Sequence, residues 1–201
     1  MFKGRNTTRM LVTMALLSAI EVVLARFIVP MPNPTMRFSI EAVPIIVAGY
    51  LYGPVAGAIV GLVGDAVGTL FSGYGYNPLF AVPPMLIGLC AGLLRPLLYK
   101  KVSYPRILAT FLPAVVLGSV LWQSYWLSFF YGTHSFVWFL GSRAVQFAIT
   151  SLVNAAVIFG LFKSRVFDTL RLWPPVAMKA DRKSTRLNSS HPTTSRMPSS
   201  A

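Results

Sequence analysis

Long apolar runs broken by short polar or proline-rich breaks dominate the chain, and their period and length read as helices rather than strands. The first run covers residues 10–29 and is broken by Met31-Pro-Asn-Pro34, because proline cannot continue a helix and biases its predecessor to extended backbone. The second covers 40–51, short for a full span, and ends at the Tyr52-Gly-Pro54 turn. The third runs from that turn to residue 71. A glycine- and tyrosine-rich loop follows at 72–78. The fourth covers 79–99, with Pro83 and Pro84 expected in its first turn, where missing amide donors cost least. The fifth covers 107–130 and the sixth 136–162. Since roughly 20 apolar residues cross a bilayer as helix, the pattern predicts an all-α integral membrane bundle of about six transmembrane helices.

Composition supports this reading. Of the 201 residues, 55% are hydrophobic and 11% charged, against about a quarter charged in an ordinary soluble domain. The net charge of +13 would suit nucleic acid, but in a membrane protein basic residues gather on cytoplasmic loops, and no nucleic-acid partner is expected. Lys3, Arg5 and Arg9 precede the first run. Arg95, Lys100, Lys101 and Arg106 surround the fourth-to-fifth connection, and Lys163, Arg165 and Arg171 follow the sixth. Six crossings put all of these on one side, so both termini are expected in the cytoplasm. The first run is longer than a signal-peptide core and holds Glu21 and Arg26, so it reads as a retained helix. Residues 1–175 form one membrane domain. Residues 176–201 are a polar tail, similar from Asp181 onward to translated adaptor or vector sequence and expected to be non-native. The single Cys90, in an apolar run, has a packing role.

Charges inside a bilayer are costly and so mark sites. Of five acids, Glu21, Glu41 and Asp65 fall within the apolar runs, while Arg26, Arg37 and Arg143 lie toward the side poor in lysine and arginine. They either pair to fix helix packing or line a cavity. Arg143, Gln146, Thr150 and Asn154 are spaced three, four and four apart, which places them on one helix face. Thr150 and Asn154 are expected to bond neighbouring helices. Aromatic residues gather toward the same side, among them Tyr74, Tyr76 and Trp126. Tyr74-Gly-Tyr76-Asn77-Pro78 can close over a flat ligand. No phosphate-binding loop, zinc-protease helix or nucleophile elbow occurs, and no metal ligand set, catalytic residue or cofactor is expected.

With these segments in place, the chain resembles the substrate-binding S components of energy-coupling factor (ECF) transporters, in particular the folate family. The resemblance covers about residues 10–162. It rests on Ala15-Leu-Leu-Ser-Ala19 followed by Glu21 to Phe27, and on Arg37-Phe-Ser-Ile-Glu-Ala-Val-Pro44. It continues through Ala48-Gly-Tyr-Leu-Tyr-Gly-Pro54-Val-Ala-Gly57, Gly61-Leu-Val-Gly-Asp65, Gly75-Tyr-Asn-Pro78, Trp126-Leu-Ser-Phe-Phe-Tyr-Gly132 and Arg143-Ala-Val-Gln146. Departures from the family pattern fall at Ile40-Glu-Ala42, Ser124-Tyr-Trp126 and Asn77. The resemblance implies a vitamin-capturing subunit of the bacterial cytoplasmic membrane, most simply for folate. It implies docking through Ala15 and Ala19 on a transmembrane coupling subunit that carries two ATPases. The substrate-binding set it suggests is Arg26, Arg37, Glu41, Asp65, Tyr74, Tyr76, Asn77, Trp126, Arg143 and Gln146. The alternatives are an S component for another vitamin or small solute, and a small intramembrane enzyme using the buried carboxylates.

Overall fold

The computed structural model describes residues 5–26, 40–71, 76–131, 135–164 and 166–169, and among these every regular element is helical. The elements are α1 (Arg5–Arg26), α2 (Ala42–Tyr52), α3 (Pro54–Leu70), α4 (Pro78–Leu94), α5 (Pro96–Lys100) and α6 (Tyr104–Ala114). A π-helical stretch (Val115–Trp122) then leads directly into α7 (Gln123–Tyr131), followed by α8 (Phe136–Lys163) and α9 (Val166–Thr169). Residues 7–25, 104–130 and 136–163 are long and apolar enough to cross a membrane unaided. With 17 residues each, α3 and α4 are about 25 Å long at 1.5 Å per residue.

The short α2 is the centre of the bundle. Its 11 residues are apolar on every side, and Val43 through Leu51 are all buried. A helix of that kind belongs inside a bundle rather than on its surface. It packs on α1, α3, α4 and α8. The Tyr50 hydroxyl bonds to Thr110 Oγ1 on α6, and the Tyr50 ring lies 6.3 Å from Phe162 on α8. Gly53 reverses the chain at φ 101°, a left-handed conformation that a side chain resists, and Pro54 opens α3 at a position where its missing N–H is harmless.

Glycines then let α3 and α4 run antiparallel with their backbones in contact. A Cβ on Gly57 would lie 2.5 Å from the Gly88 carbonyl oxygen, and one on Gly61 would lie 2.5 Å from that of Pro84. A Cβ on Gly88 would strike the Gly57 carbonyl. Gly88→Ala is therefore expected to cost about 1–3 kcal/mol through forced backbone displacement. Gly141→Ala is the control, since nothing lies within 4 Å of its Cβ position, and removing a helical glycine gains up to about 1 kcal/mol. Thermal unfolding of the two purified variants should shift in opposite directions; equal shifts would contradict this packing.

Proline accounts for the main differences from the expected boundaries. Pro83 and Pro84 lie in the second turn of α4, not the first. Pro83 cannot donate to the Leu79 carbonyl, and the Trp122 indole N–H does so instead, at 2.9 Å across the helix interface. Pro96 ends the fourth run early, so the expected helix over 79–99 divides at Arg95. Pro113 just precedes the π-helical stretch, in which Gln123 N–H bonds back five residues to Gly118. Thr150 donates to the Gln146 carbonyl of its own helix rather than to a neighbour.

Candidate functional site

Helices α1, α3 and α7 end, and α2, α4 and α8 begin, at the same end of the bundle. The contacts fix this alternation. The Glu21 carboxylate of α1 sits over Gly64 of α3, where a Cβ would collide with it. Trp122 meets Leu79, Phe80 faces Phe130 at 6.3 Å, and Arg143 of α8 reaches Ser119 of the π-helical stretch. Every described member of the expected binding set therefore lies within about three turns of one end. Of the remainder, Arg37 and Tyr74 lie outside the described residues, as does the side chain of Arg26, which closes α1.

On one flank are acids from three helices. Glu21 is only 4% exposed and its Oε2 makes no hydrogen bond among the described residues. Glu41, at the cap position of α2, and Asp65, on α3, are both within electrostatic reach of it. Glu21 was not in the expected binding set. The signal for it was present in the sequence: Met14, Ser18 and Glu21, spaced four and three apart, form the buried face of α1.

On the other flank are a cation and aromatic rings. Arg143 Nη1 donates to the Ser119 carbonyl at a long 3.5 Å, and its guanidinium carbon lies 5.8 Å from the centre of the Phe147 ring. Gln146, one turn deeper, is buried. Trp126 is the hub of a ring cluster, stacked on Phe130 and edge-on to Trp122, Tyr125 and Phe129, all at 5.5–5.8 Å between ring centres. Its indole N–H is buried without a hydrogen-bond partner among the described residues. The N-terminal end of α4 stands between the flanks, since α4 packs on α3 and α7 alike. Tyr76, before that helix, is exposed. Asn77 caps the helix, its Oδ1 accepting from Leu79 N at 3.1 Å. That bond occupies the side-chain oxygen of a residue expected to read the ligand.

An end with carboxylates on one side and arginine, amide and indole donors on the other suits a flat molecule that has a donor-rich ring and an anionic portion. Among the described residues, no three of histidine, cysteine, aspartate and glutamate are placed to hold a metal ion. The other feature singled out in the sequence faces elsewhere. Ala15 and Ala19 are exposed on α1, to one side of the buried face of Met14, Ser18 and Glu21.

The family described as "ECF transporter, substrate-specific component" matches residues 9–162. The folate transporter FolT of Clostridium novyi (strain NT) is 29% identical over 168 residues, covering 83% of this chain and 94% of that protein. Among solved structures, FolT bound with folic acid superimposes with a TM-score of 0.62 at 26% identity, over 74% of this chain and 88% of that one. An S component for biotin superimposes with a TM-score of 0.63 at 17% identity, over 81% and 95%. At that identity the second likeness concerns the fold alone.

Proposed function

The chain belongs to the family of ECF transporter substrate-specific components, and on that premise we propose that it captures folate for uptake across a bacterial cytoplasmic membrane. The observation that carries the choice of folate is the likeness to the two FolT proteins, at 29% and 26% identity over most of the chain. The chemistry of the described end is consistent with it. Folate joins a pterin rich in N–H donors to a benzoyl ring and a glutamate. The acids of α1–α3 suit the pterin donors, with Glu21 and Asp65 each five residues from the end of its helix. Trp126 and Tyr76 suit the rings. Arg143 and Gln146 suit the carboxylates, since a guanidinium pairs with a carboxylate through two parallel bonds.

The family is a substrate-binding component of a transporter and not an enzyme. Energy would come from two ATPases on a transmembrane coupling subunit, docked along the Ala15 and Ala19 face. All six helical rods would cross the bilayer, with the shorter α2 shielded by its neighbours. Both termini would be cytoplasmic, because Arg95, Lys101, Arg106 and Lys163 lie at the end opposite the candidate site.

A second reading, an S component for another vitamin, is favoured by one observation: the sequence departs from the folate-family pattern at Ile40-Glu-Ala42, Ser124-Tyr-Trp126 and Asn77. Binding of folic acid, biotin, riboflavin and thiamine to the purified protein separates the two readings. Tight binding of folic acid alone is expected. Tight binding of one of the others without folic acid would replace the first reading with the second.

A further inference from the structure

At the end of the bundle opposite the candidate site, cations collect where α5 passes into α6. The chain contains no acid between Asp65 and Asp168, so no carboxylate within this stretch neutralises them. Membrane orientation alone accounts for basic residues at this end. It does not account for how two of them are held. Arg95 has a place within the fold: its guanidinium lies 3.5–3.9 Å from the Cβ position of Gly53, against the C-terminal end of α2, where the helix dipole favours a cation. Lys101 and Arg106 have no such place. Lys101 follows α5 on extended backbone and is exposed. Arg106, in the first turn of α6, reaches back out of the helix, and its Nη1 donates to the Lys101 carbonyl at 3.2 Å. That bond uses one of the five N–H donors of the guanidinium and fixes it beside the backbone of a second cation. Ser103, between them at the cap position of α6, makes no capping bond with its side chain.

Beneath the two cations the surface is apolar. Arg106, Ala109 and Pro113 are three and four apart and so share one face of α6, and Ala109 and Pro113 are exposed. Pro113 lies about 10 Å deeper than Arg106, at 1.5 Å per residue. Leu93 of α4 and Leu97 of α5, on the helices that pack beside α6, are 56% and 46% exposed. A basic head with an apolar face running inward from it matches a phospholipid better than a soluble anion, which needs only the head.

We propose that Lys101 and Arg106 bind the headgroup of an anionic phospholipid whose acyl chains lie along α5 and α6. Basic sites among transmembrane helices on the cytoplasmic side recognise acidic headgroups, and a guanidinium matches a phosphate through paired bonds. The identity of the cargo does not enter, since the cargo end is the other one.

Native mass spectrometry of the protein, released from neutral detergent micelles doped with equal amounts of phosphatidylglycerol and phosphatidylcholine, tests this. Wild type should retain phosphatidylglycerol in preference to phosphatidylcholine. Lys101→Gln should weaken that retention roughly fivefold, the worth of one basic residue near a headgroup, and the double variant with Arg106→Gln roughly thirtyfold. Lys163→Gln removes the same charge from the same end, at an exposed position in the last turn of α8, and should change retention by less than about twofold because solvent and salt screen it. Inorganic phosphate added at constant ionic strength should not displace the lipid. Equal retention of the two lipids, full retention in Lys101→Gln, or an equal loss in Lys163→Gln would reduce the cluster to general surface charge and overturn the proposal. Displacement by inorganic phosphate would overturn the choice of a lipid. Lys101→Gln decides alone if Arg106→Gln disturbs the loop, because the Lys101 side chain is exposed.

Discussion

Replacing Ala15 with tryptophan should abolish folate uptake in cells that express the coupling subunit and ATPases, while leaving folate affinity of the purified protein within about twofold. The structure makes this a clean separation. Ala15 and Ala19 face away from the bundle, in a surface shared with Leu11, Val12, Leu16 and Ile20. The residues that hold α1 in place, Met14, Ser18 and Glu21, are on a separate, buried face. An indole at position 15 therefore disturbs nothing inside the subunit. Two alanines four apart let a partner helix approach closely, and overfilling such a contact costs about 1–3 kcal/mol, or roughly ten- to a hundredfold in docking. Ala15→Gly keeps the surface small and should retain uptake. Normal uptake by Ala15→Trp would show that the coupling subunit docks elsewhere.

Arg143→Ala should weaken folate binding by roughly ten- to a hundredfold, the loss of a charge-assisted hydrogen bond worth about 1.5–3 kcal/mol. Stability of the ligand-free protein should change little. The contact that Arg143 makes to the Ser119 carbonyl is 3.5 Å long, and the Phe147 ring it overlies belongs to the next turn of its own helix. Little of the fold depends on either. Arg143→Lys should recover only part of the affinity, because an ammonium cannot reproduce the paired bonds of a guanidinium. Titration calorimetry of the three proteins decides the matter. Affinity within twofold of wild type for Arg143→Ala would remove this residue from the site.

The helical architecture was readable because lipid leaves a chain few options. Backbone polar groups must bond within each segment, so apolar runs of sufficient length become helices, and prolines and glycines mark where they stop. The six expected runs each correspond to a helical rod. The boundary at Gly53-Pro54 was legible for the same reason, since only the turn chemistry at that point fits two abutting helices. The polar stripe of α8 was likewise legible from spacing, and Gln146, Thr150 and Asn154 are indeed buried together.

What the sequence concealed depends on contacts between segments. Pro83 and Pro84 are tolerated in the second turn of α4 because Trp122, 38 or 39 positions later in the chain, supplies a donor to the Leu79 carbonyl. No local rule predicts that. The π-helical stretch has no signature beyond Pro113, so its place within the fifth run could not be foreseen. Asn77 reads equally well as a ligand contact and as a helix cap, and only the cap bond, Leu79 N to Oδ1, lies within its own helix. Glu21 stood out as a charge in an apolar run, but its place over Gly64 required the α1–α3 packing.

Folate capture by this subunit is tested most directly by mass spectrometry of the small molecule that copurifies with the protein from its native membrane. A folate is expected, recovered from wild type and depleted from Arg143→Ala. A different vitamin recovered in stoichiometric amount, with no folate present, would contradict it.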